Sequence, residues 1–372
     1  MLNRNFNTIP IDKKIQKILS SDRIPHAILL SGSKGIGKLL NALKISNALV
    51  CKNRQDGLAC SNCSSCRKAV KLIHPDIHYT FPTVGKDAQS DSFLNEWRGM
   101  IQTNPFSSLS DWIATIDAEK KKQGNINKAE CKNIIKKINL KAFEGGNKVS
   151  IIWLPEFLGK EGNRLLKLIE EPPENSYFIF VCDDTDKLLG TIISRCQIIG
   201  LTRFSEEDTE QILLKHFDAK ETEVKTIVAI SDGNLNHAIK MISSGVDGNF
   251  ERLTSFLRTS YAGNQYPIFE FCDELSNLSK QEITSFLEYF AHFLRECLRM
   301  NYLPQENIKL QTKEREFANK FSTFLSPEII ELMLKRISEN TYYIERYANI
   351  KLLMITLSIE LSKTFKKNMA VA

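Results

Sequence analysis

The chain has 372 residues, 42% hydrophobic and 25% charged, a balance that suits a globular protein and excludes a disordered or fibrous one. No apolar run approaches the ~20 residues that a membrane-spanning helix needs. The formal net charge of +6 is mild, so charge alone does not declare a nucleic-acid binder.

At this length two or three domains are expected. The N-terminal MLNRNFNTIPIDKK has no apolar signal core, which points to the cytoplasm and to no membrane partner. Residues 11–20 (IDKKIQKILS) carry apolar side chains at helical spacing until Pro25 breaks the pattern. AILLSG (27–32) reads as a short buried strand. It runs into Gly32-Ser33-Lys34-Gly35-Ile36-Gly37-Lys38, which fits the phosphate-cradling pattern G-x-x-x-x-G-K. LLNALKISNALV then continues as a helix, so the motif has its strand, loop and helix context. Gly32, Gly35, Gly37 and Lys38 are therefore candidate contacts for the phosphates of ATP or ADP. The pattern next asks for Ser or Thr as a magnesium ligand, and the chain supplies Leu39, which cannot coordinate a hard cation.

Four of the nine cysteines follow within sixteen residues, as C-x8-C-x2-C-x2-C. Cys51, Cys60, Cys63 and Cys66 offer four thiolates at a spacing that suits tetrahedral zinc. A site filled by four protein ligands leaves no position for water, so the zinc would be structural. The plainer alternative is a set of free surface thiols.

Residues 84–125 are polar and irregular and are assigned to no element. INKAECKNIIKKINL (126–140) sets Cys131, Ile134, Ile135 and Ile138 on one helical stripe. Lys128, Lys132, Lys136 and Lys137 take the other faces, either as a solvated surface or as one that faces DNA. VSIIWL (149–154) is a second strand, and GNRLLKLIEEPPEN (162–175) a helix halted by Pro172-Pro173. YFIFVCDD (177–184) is a third strand, and SRCQIIGL (194–201) a fourth with its lead-in. Strands alternating with helices imply a parallel sheet covered on both faces. After residue 203 the strand signals stop. FSEEDTEQILLKHF opens on a capping pattern at Ser205, and the remainder is helical, above all 266–300 and 326–366. The expected architecture is an α/β domain over 1–203 with the cysteine module at 51–66, a small helical domain over 204–250 and an all-α domain over 251–372.

HAILLSGSKGIGK, the cysteine module, HPD (74–76), VSIIWLPE, NRLLKLIEEPPE and TIISRC occur in one order. Together they resemble the bacterial DNA polymerase III clamp loader, an AAA+ family. The likeness is close from about residue 5 to 245. It is weaker in the C-terminal part, where NIKLLMITLSIEL (349–361) looks like the end of the family's collar domain. The resemblance implies an AAA+ P-loop domain, a lid domain and a collar through which subunits assemble.

Within that family four positions separate the ATP-hydrolysing motor, of gamma/tau type, from the non-hydrolysing delta-prime type. Leu39 replaces the hydroxyl that ligates magnesium. Pro155 replaces the first acid of the motor's Asp-Glu pair, leaving Glu156. Cys182-Asp183 stands where the motor carries a polar threonine sensor. Asn236, in GNLNHAI (233–239), stands where the motor presents an arginine to the γ-phosphate. Together these changes remove metal ligation, metal orientation, sensing and charge stabilisation. Ser194-Arg195-Cys196 is intact, and the resemblance makes Arg195 a catalytic finger that acts in trans on a neighbouring motor's ATP; its plainer reading is a surface ion pair.

The implied partners are gamma/tau motors and a delta subunit in a hetero-pentamer, a sliding clamp and primed DNA. Two other readings stay open, an ATP-hydrolysing motor and a zinc-dependent nucleic-acid-binding protein with a vestigial nucleotide fold. His74 and His78 are possible further zinc ligands, with His74 better read as a turn residue before Pro75. Trp97 and Trp112 fall in the unassigned segment. Tyr342, Tyr343 and Tyr347 are expected to pack within the collar.

Overall fold

The computed structural model describes residues 6–21, 23–117, 124–244, 248–304, 307–322, 326–345 and 348–369. They fall into two compact units, Met1–Ser205 with Gly233–Asn236, and Glu206–Asp232 with His237–Ala372.

The first unit is built on a sheet of five parallel strands. In chain order come α1 (Lys13–Leu19), β1 (Ala27–Ser31), α2 (Lys38–Val50), α3 (Ser64–Val70), β2 (Ile77–Thr80), α4 (Leu94–Thr103), α5 (Leu109–Ile116) and α6 (Lys128–Asn139). They are followed by β3 (Lys148–Trp153), α7 (Leu166–Glu170), β4 (Ser176–Val181), α8 (Gly190–Ile193) and β5 (Gln197–Gly200). The strands lie side by side as β2-β3-β4-β1-β5. Leu29 is in register with Phe180 on one side and with Ile198 on the other.

Because side chains alternate along a strand, each strand feeds both faces. Ile28, Leu30, Ile179 and Val181 pack with Ile45 and Leu49 of α2 and with Trp97 and Trp112. Ala27, Leu29, Phe178 and Phe180 pack on the other face with Cys131, Ile134 and Ile138 of α6. The parallel, doubly covered sheet expected from the sequence is the observed one.

Three details differ from expectation. β2 (IHYT) was not foreseen, since four residues ending in threonine give little strand signal, yet it pairs with β3 from Ile77↔Val149 to Thr80↔Ile152. The unassigned segment 84–125 contains α4 and α5, while residues 118–123 lie outside the described chain. Trp97 and Trp112 on those helices are fully buried around Phe81, stacked at 5.1 Å and edge-on at 4.9 Å. The expected helix 162–175 shrinks to α7, because a 3-10 stretch (Pro155–Leu165) with a kink at Gly159 precedes it.

The second unit is all helix: α9 (Glu206–His216), α10 (Glu221–Ser231), α11 (Leu235–Ser244), α12 (Asn249–Ala262), α13 (Gln265–Ser276), α14 (Lys280–Met300), α15 (Thr312–Phe321), α16 (Pro327–Glu345) and α17 (Ile350–Met369). The first residues of α11 belong to the 233–236 segment counted with the first unit. α14 is capped by a reciprocal Ser279–Glu282 box, and its Phe286 and Phe290 pack edge-on against Phe256 of α12. No helix among the described residues is long and apolar enough to cross a membrane.

Candidate functional site: a phosphate loop and a four-cysteine centre

The phosphate loop takes the backbone shape its glycines allow. Gly35 and Gly37 both have positive φ, 73° and 79°, where a side chain is strained. Space is short as well, since a Cβ on Gly35 would lie 1.8 Å from Asn234 Oδ1. The amide N–H of Leu235 also donates to Gly35 O at 3.0 Å. The 233–236 segment thus lies directly against the loop.

Lys38, the residue that would reach a phosphate, points elsewhere. It is buried, and its ammonium donates to the carbonyls of Gly32 and Ser33 at 2.5 Å each. It also pairs with Asp183 at 2.9 Å. The backbone N–H of Asp183 in turn donates to Glu156 Oε1 at 3.1 Å. Burial raises the Glu156 carboxyl above its usual range and pushes the Cys182 thiol up to about 12, so neither is a ready metal ligand. Leu39 is packed into the core beneath the sheet.

Asn236 is tied down too, accepting from Asn104 Nδ2 at 3.0 Å and donating to Asp111 Oδ2 at 2.9 Å. The expected phosphate contacts therefore come together as a loop, but one whose positive charge is met by the chain's own Asp183. From the sequence alone Asp183 reads only as a poor sensor. The signal available was its place at the end of β4, the strand beside β1.

At the other end of α2 the cysteines converge. The four Sγ atoms of Cys51, Cys60, Cys63 and Cys66 lie within 4.8 Å of one another, with Cys60 and Cys66 3.9 Å apart. A tetrahedron with Zn–S of 2.3 Å has sulfurs about 3.8 Å apart, so the spacing fits a tetrathiolate metal such as zinc. Backbone N–H groups of Cys60 and Cys66 donate to the sulfurs of Cys51 and Cys63 at 3.2 and 3.4 Å, which favours the thiolate form. Burial works to raise the Cys63 thiol, yet the N–H groups of Cys66 and Lys52 bring it down to about 6.

The histidines are not in this cluster. His74 is buried, its Nδ1 accepts from the Asp76 N–H at 3.2 Å, and its Nε2 faces Glu144 at 3.7 Å. It is thus a buried member of a polar clamp and more than a turn residue. His78 lies on β2, and burial holds its pKa down to about 4.

Arg195 lies apart from both centres. Its guanidinium is about one-third exposed and pairs with Glu170, Nε at 2.6 Å and Nη2 on the same oxygen, while Nη1 donates to Thr191 O at 2.8 Å. Of the α6 lysines, Lys137 pairs with Asp91 at 2.5 Å, and Lys128, Lys132 and Lys136 are exposed with no ion pair among the described residues. In the second unit Tyr342 and Tyr343 are half exposed and meet edge-on at 5.6 Å, in place of the packed arrangement expected of them. Tyr347 lies outside the described residues.

A family model described as "DNA polymerase III, delta subunit" matches residues 10–205, just over half of the chain. The chain belongs to this DNA polymerase III clamp-loader family, with the delta-prime subunits. A "DNA polymerase III subunit delta'" of Haemophilus influenzae is 25% identical over 78% of this chain and 76% of its own length. A delta' of Yersinia pestis is 31% identical over 48% of this chain and 42% of its own. A "DNA polymerase III subunit gamma" of Buchnera aphidicola is 27% identical over 62% of this chain and 54% of its own. Family membership thus carries DNA replication with it, while relatives of both subunit types leave the role of this chain to its site.

Proposed function

We propose that the chain is a non-hydrolysing stator of the clamp loader, of delta-prime type, working in the cytoplasm. The observation that carries this reading is the Lys38–Asp183 pair. A phosphate loop acts by presenting amides and an ammonium to a phosphate. Here the ammonium is spent inside the fold, the magnesium position is an apolar core residue, and Asn236 carries no charge for the transition state. Gly32, Gly35, Gly37 and Lys38 then serve as the frame of a degenerate ATP- or ADP-type site, and the chain alone does not turn ATP over.

Arg195 is the trans-acting group of this proposal. Partly exposed, it is held by the Glu170 carboxylate, the Thr191 carbonyl and the Ser194 hydroxyl, contacts that a stronger anion such as a γ-phosphate could replace. The partners would be gamma/tau motors and a delta subunit in a pentamer, joined through a collar over 251–372 behind a lid over 204–250. The assembly would open a sliding clamp for primed DNA, with exposed Lys128 and Lys132 of α6 available to phosphates. Zn2+ at Cys51, Cys60, Cys63 and Cys66 would be structural.

The test is ATP turnover in the reconstituted loader with clamp and primed DNA. Arg195→Ala is expected to slow the site it serves by ~10³–10⁵, as loss of an arginine finger does. Lys38→Ala is expected to leave turnover nearly unchanged. The opposite ranking, or hydrolysis by this chain alone, would make it a motor.

A further inference from the structure

We propose that the face beside the four-cysteine centre is a docking surface for an acidic protein segment carrying apolar side chains. Four apolar residues stand out there: Phe143 is 82% exposed, Leu140 57%, Ile73 51% and Val70 43%. A phenylalanine this exposed leaves apolar area in water that burial against a partner would remove.

The frame beneath them is tied by hydrogen bonds. The carboxylate of Asp76 accepts from the backbone N–H of Phe143 at 2.6 Å and of Glu144 at 2.9 Å. Glu144 in turn accepts from Ser65 at 2.7 Å and Lys68 at 2.5 Å, both on α3. The Ile73 N–H donates to Lys68 O at 3.0 Å, and Lys148 holds the Leu140 carbonyl at 2.6 Å. Phe143 is thus presented by a hydrogen-bonded backbone on the flank of the cysteine module, as an interface anchor is.

Charge selects the occupant. Arg67, Lys71, Lys136 and Lys141 are exposed and make no ion pair among the described residues, while residues 61–73 and 132–143 contain no Asp or Glu. Glu144 is turned inward, its side chain 12% exposed. A basic rim around an apolar centre favours an acidic, apolar ligand. A nucleic acid fits less well, because three of the four apolar groups are aliphatic and offer no ring on which bases stack. This surface is independent of Arg195 and of the phosphate loop.

The test uses the full chain, fluorescently labelled, on an array of 12-residue peptides of random composition, with the best binders measured by anisotropy. The expected binders combine several Asp or Glu with Leu, Ile or Phe. Phe143→Ser, Ile73→Ser and Lys141→Glu, all exposed changes that leave the melting temperature in place, are each expected to weaken them at least tenfold. An array without binders, binders lacking acidic residues, or affinities indifferent to all three changes would overturn the proposal. A single-stranded oligonucleotide that binds tighter and loses affinity with Phe143→Ser would overturn it in favour of a nucleic-acid surface. Turnover of the reconstituted loader is expected to be unchanged by Phe143→Ser, so this inference and the stator reading fail separately.

Discussion

At the N-terminal end of α2, Lys38 folds back onto the carbonyls of its own loop and onto Asp183; at the C-terminal end, Cys51 joins three other thiols that converge on a common centre. Both ends begin from a recognisable pattern of residues for a ligand. One has internal partners for its cation, whereas the other gathers four thiol donors within 4.8 Å of one another. The contrast teaches that a motif fixes a backbone shape more firmly than an occupancy. Glycine conformation keeps the loop's form, while one acid on the neighbouring strand decides whether its cation is available.

The largest effect should come from the cysteine end. Removing metal with a chelator, or replacing Cys66 with Ser, is expected to reduce bound zinc from one per chain to none and to unfold the 51–73 module. Metal supplies ~10–16 kcal/mol of apparent binding free energy in small zinc modules. Hydrogen exchange would show lost protection at residues 60–73 and along the Glu144 clamp, with the amides of α2 near Lys38 retaining theirs. Unchanged exchange at 60–73 after chelation would mean that the protein fold alone holds the thiols together, and the contrast between the two ends would dissolve.

Next in size is the internal ion pair. Asp183→Ala leaves the Lys38 ammonium buried with only carbonyls, a loss expected to cost about 3 kcal/mol, as for other broken buried pairs. Combining it with Lys38→Met should recover most of that cost, since the uncompensated charge goes too. Urea unfolding followed by tryptophan emission suits the measurement, because Trp97, Trp112 and Trp153 all lie in the first unit. A single variant as stable as the parent would show Lys38 free to swing outward, and the loop would again be a candidate for nucleotide.

How much of this was legible beforehand follows from the range of each interaction. β1, β3, β4 and the two faces of the sheet were written in apolar runs, and the cysteine centre in spacing that needs few residues to close. α4 and α5 hid because their segment is mostly polar; each is anchored by one tryptophan, and Phe81, which brings Trp97 and Trp112 together, comes from the end of the unforeseen β2. The Lys38–Asp183 pair spans 145 positions and depends on β4 lying beside β1, an order that no local pattern states. Phe143 shows the converse: apolar composition announces burial, and only coordinates reveal a phenylalanine left in water.

A smaller effect separates shape from crowding at the loop. Gly35 and Gly145 share a φ of 73°, but an added Cβ meets Asn234 at 1.8 Å in the first and nothing within 4 Å in the second. Gly145→Ala should cost about 1 kcal/mol, the conformational penalty alone. Gly35→Ala should cost about 1–2 kcal/mol more, part of it relieved by Asn234→Ala in the same chain. Equal costs at the two glycines would mean that the 233–236 segment does not rest on the loop in solution.

The smallest effect concerns the middle of α2, between the two ends. The Lys44 ammonium donates to the Ile9 carbonyl, and burial lowers its pKa to about 8 from an ordinary value near 10.5. Between those values the unfolded chain keeps a proton that the folded chain has released, so stability rises with pH across this window. The gain attributable to Lys44 from pH 8 to pH 10 is about 2 kcal/mol, and below pH 8 the charged form is a steady cost. Lys44→Met should therefore be more stable than the parent at pH 7 and converge with it by pH 10, other lysines contributing equally to both. Parallel curves would instead place Lys44 in water, and with it the α2 surface that the segment ending at Ile9 covers. The helix that joins the two centres would then be held by the sheet, α1 and α3 without the Ile9 segment, and damage at the cysteine end would travel along it to the loop more readily.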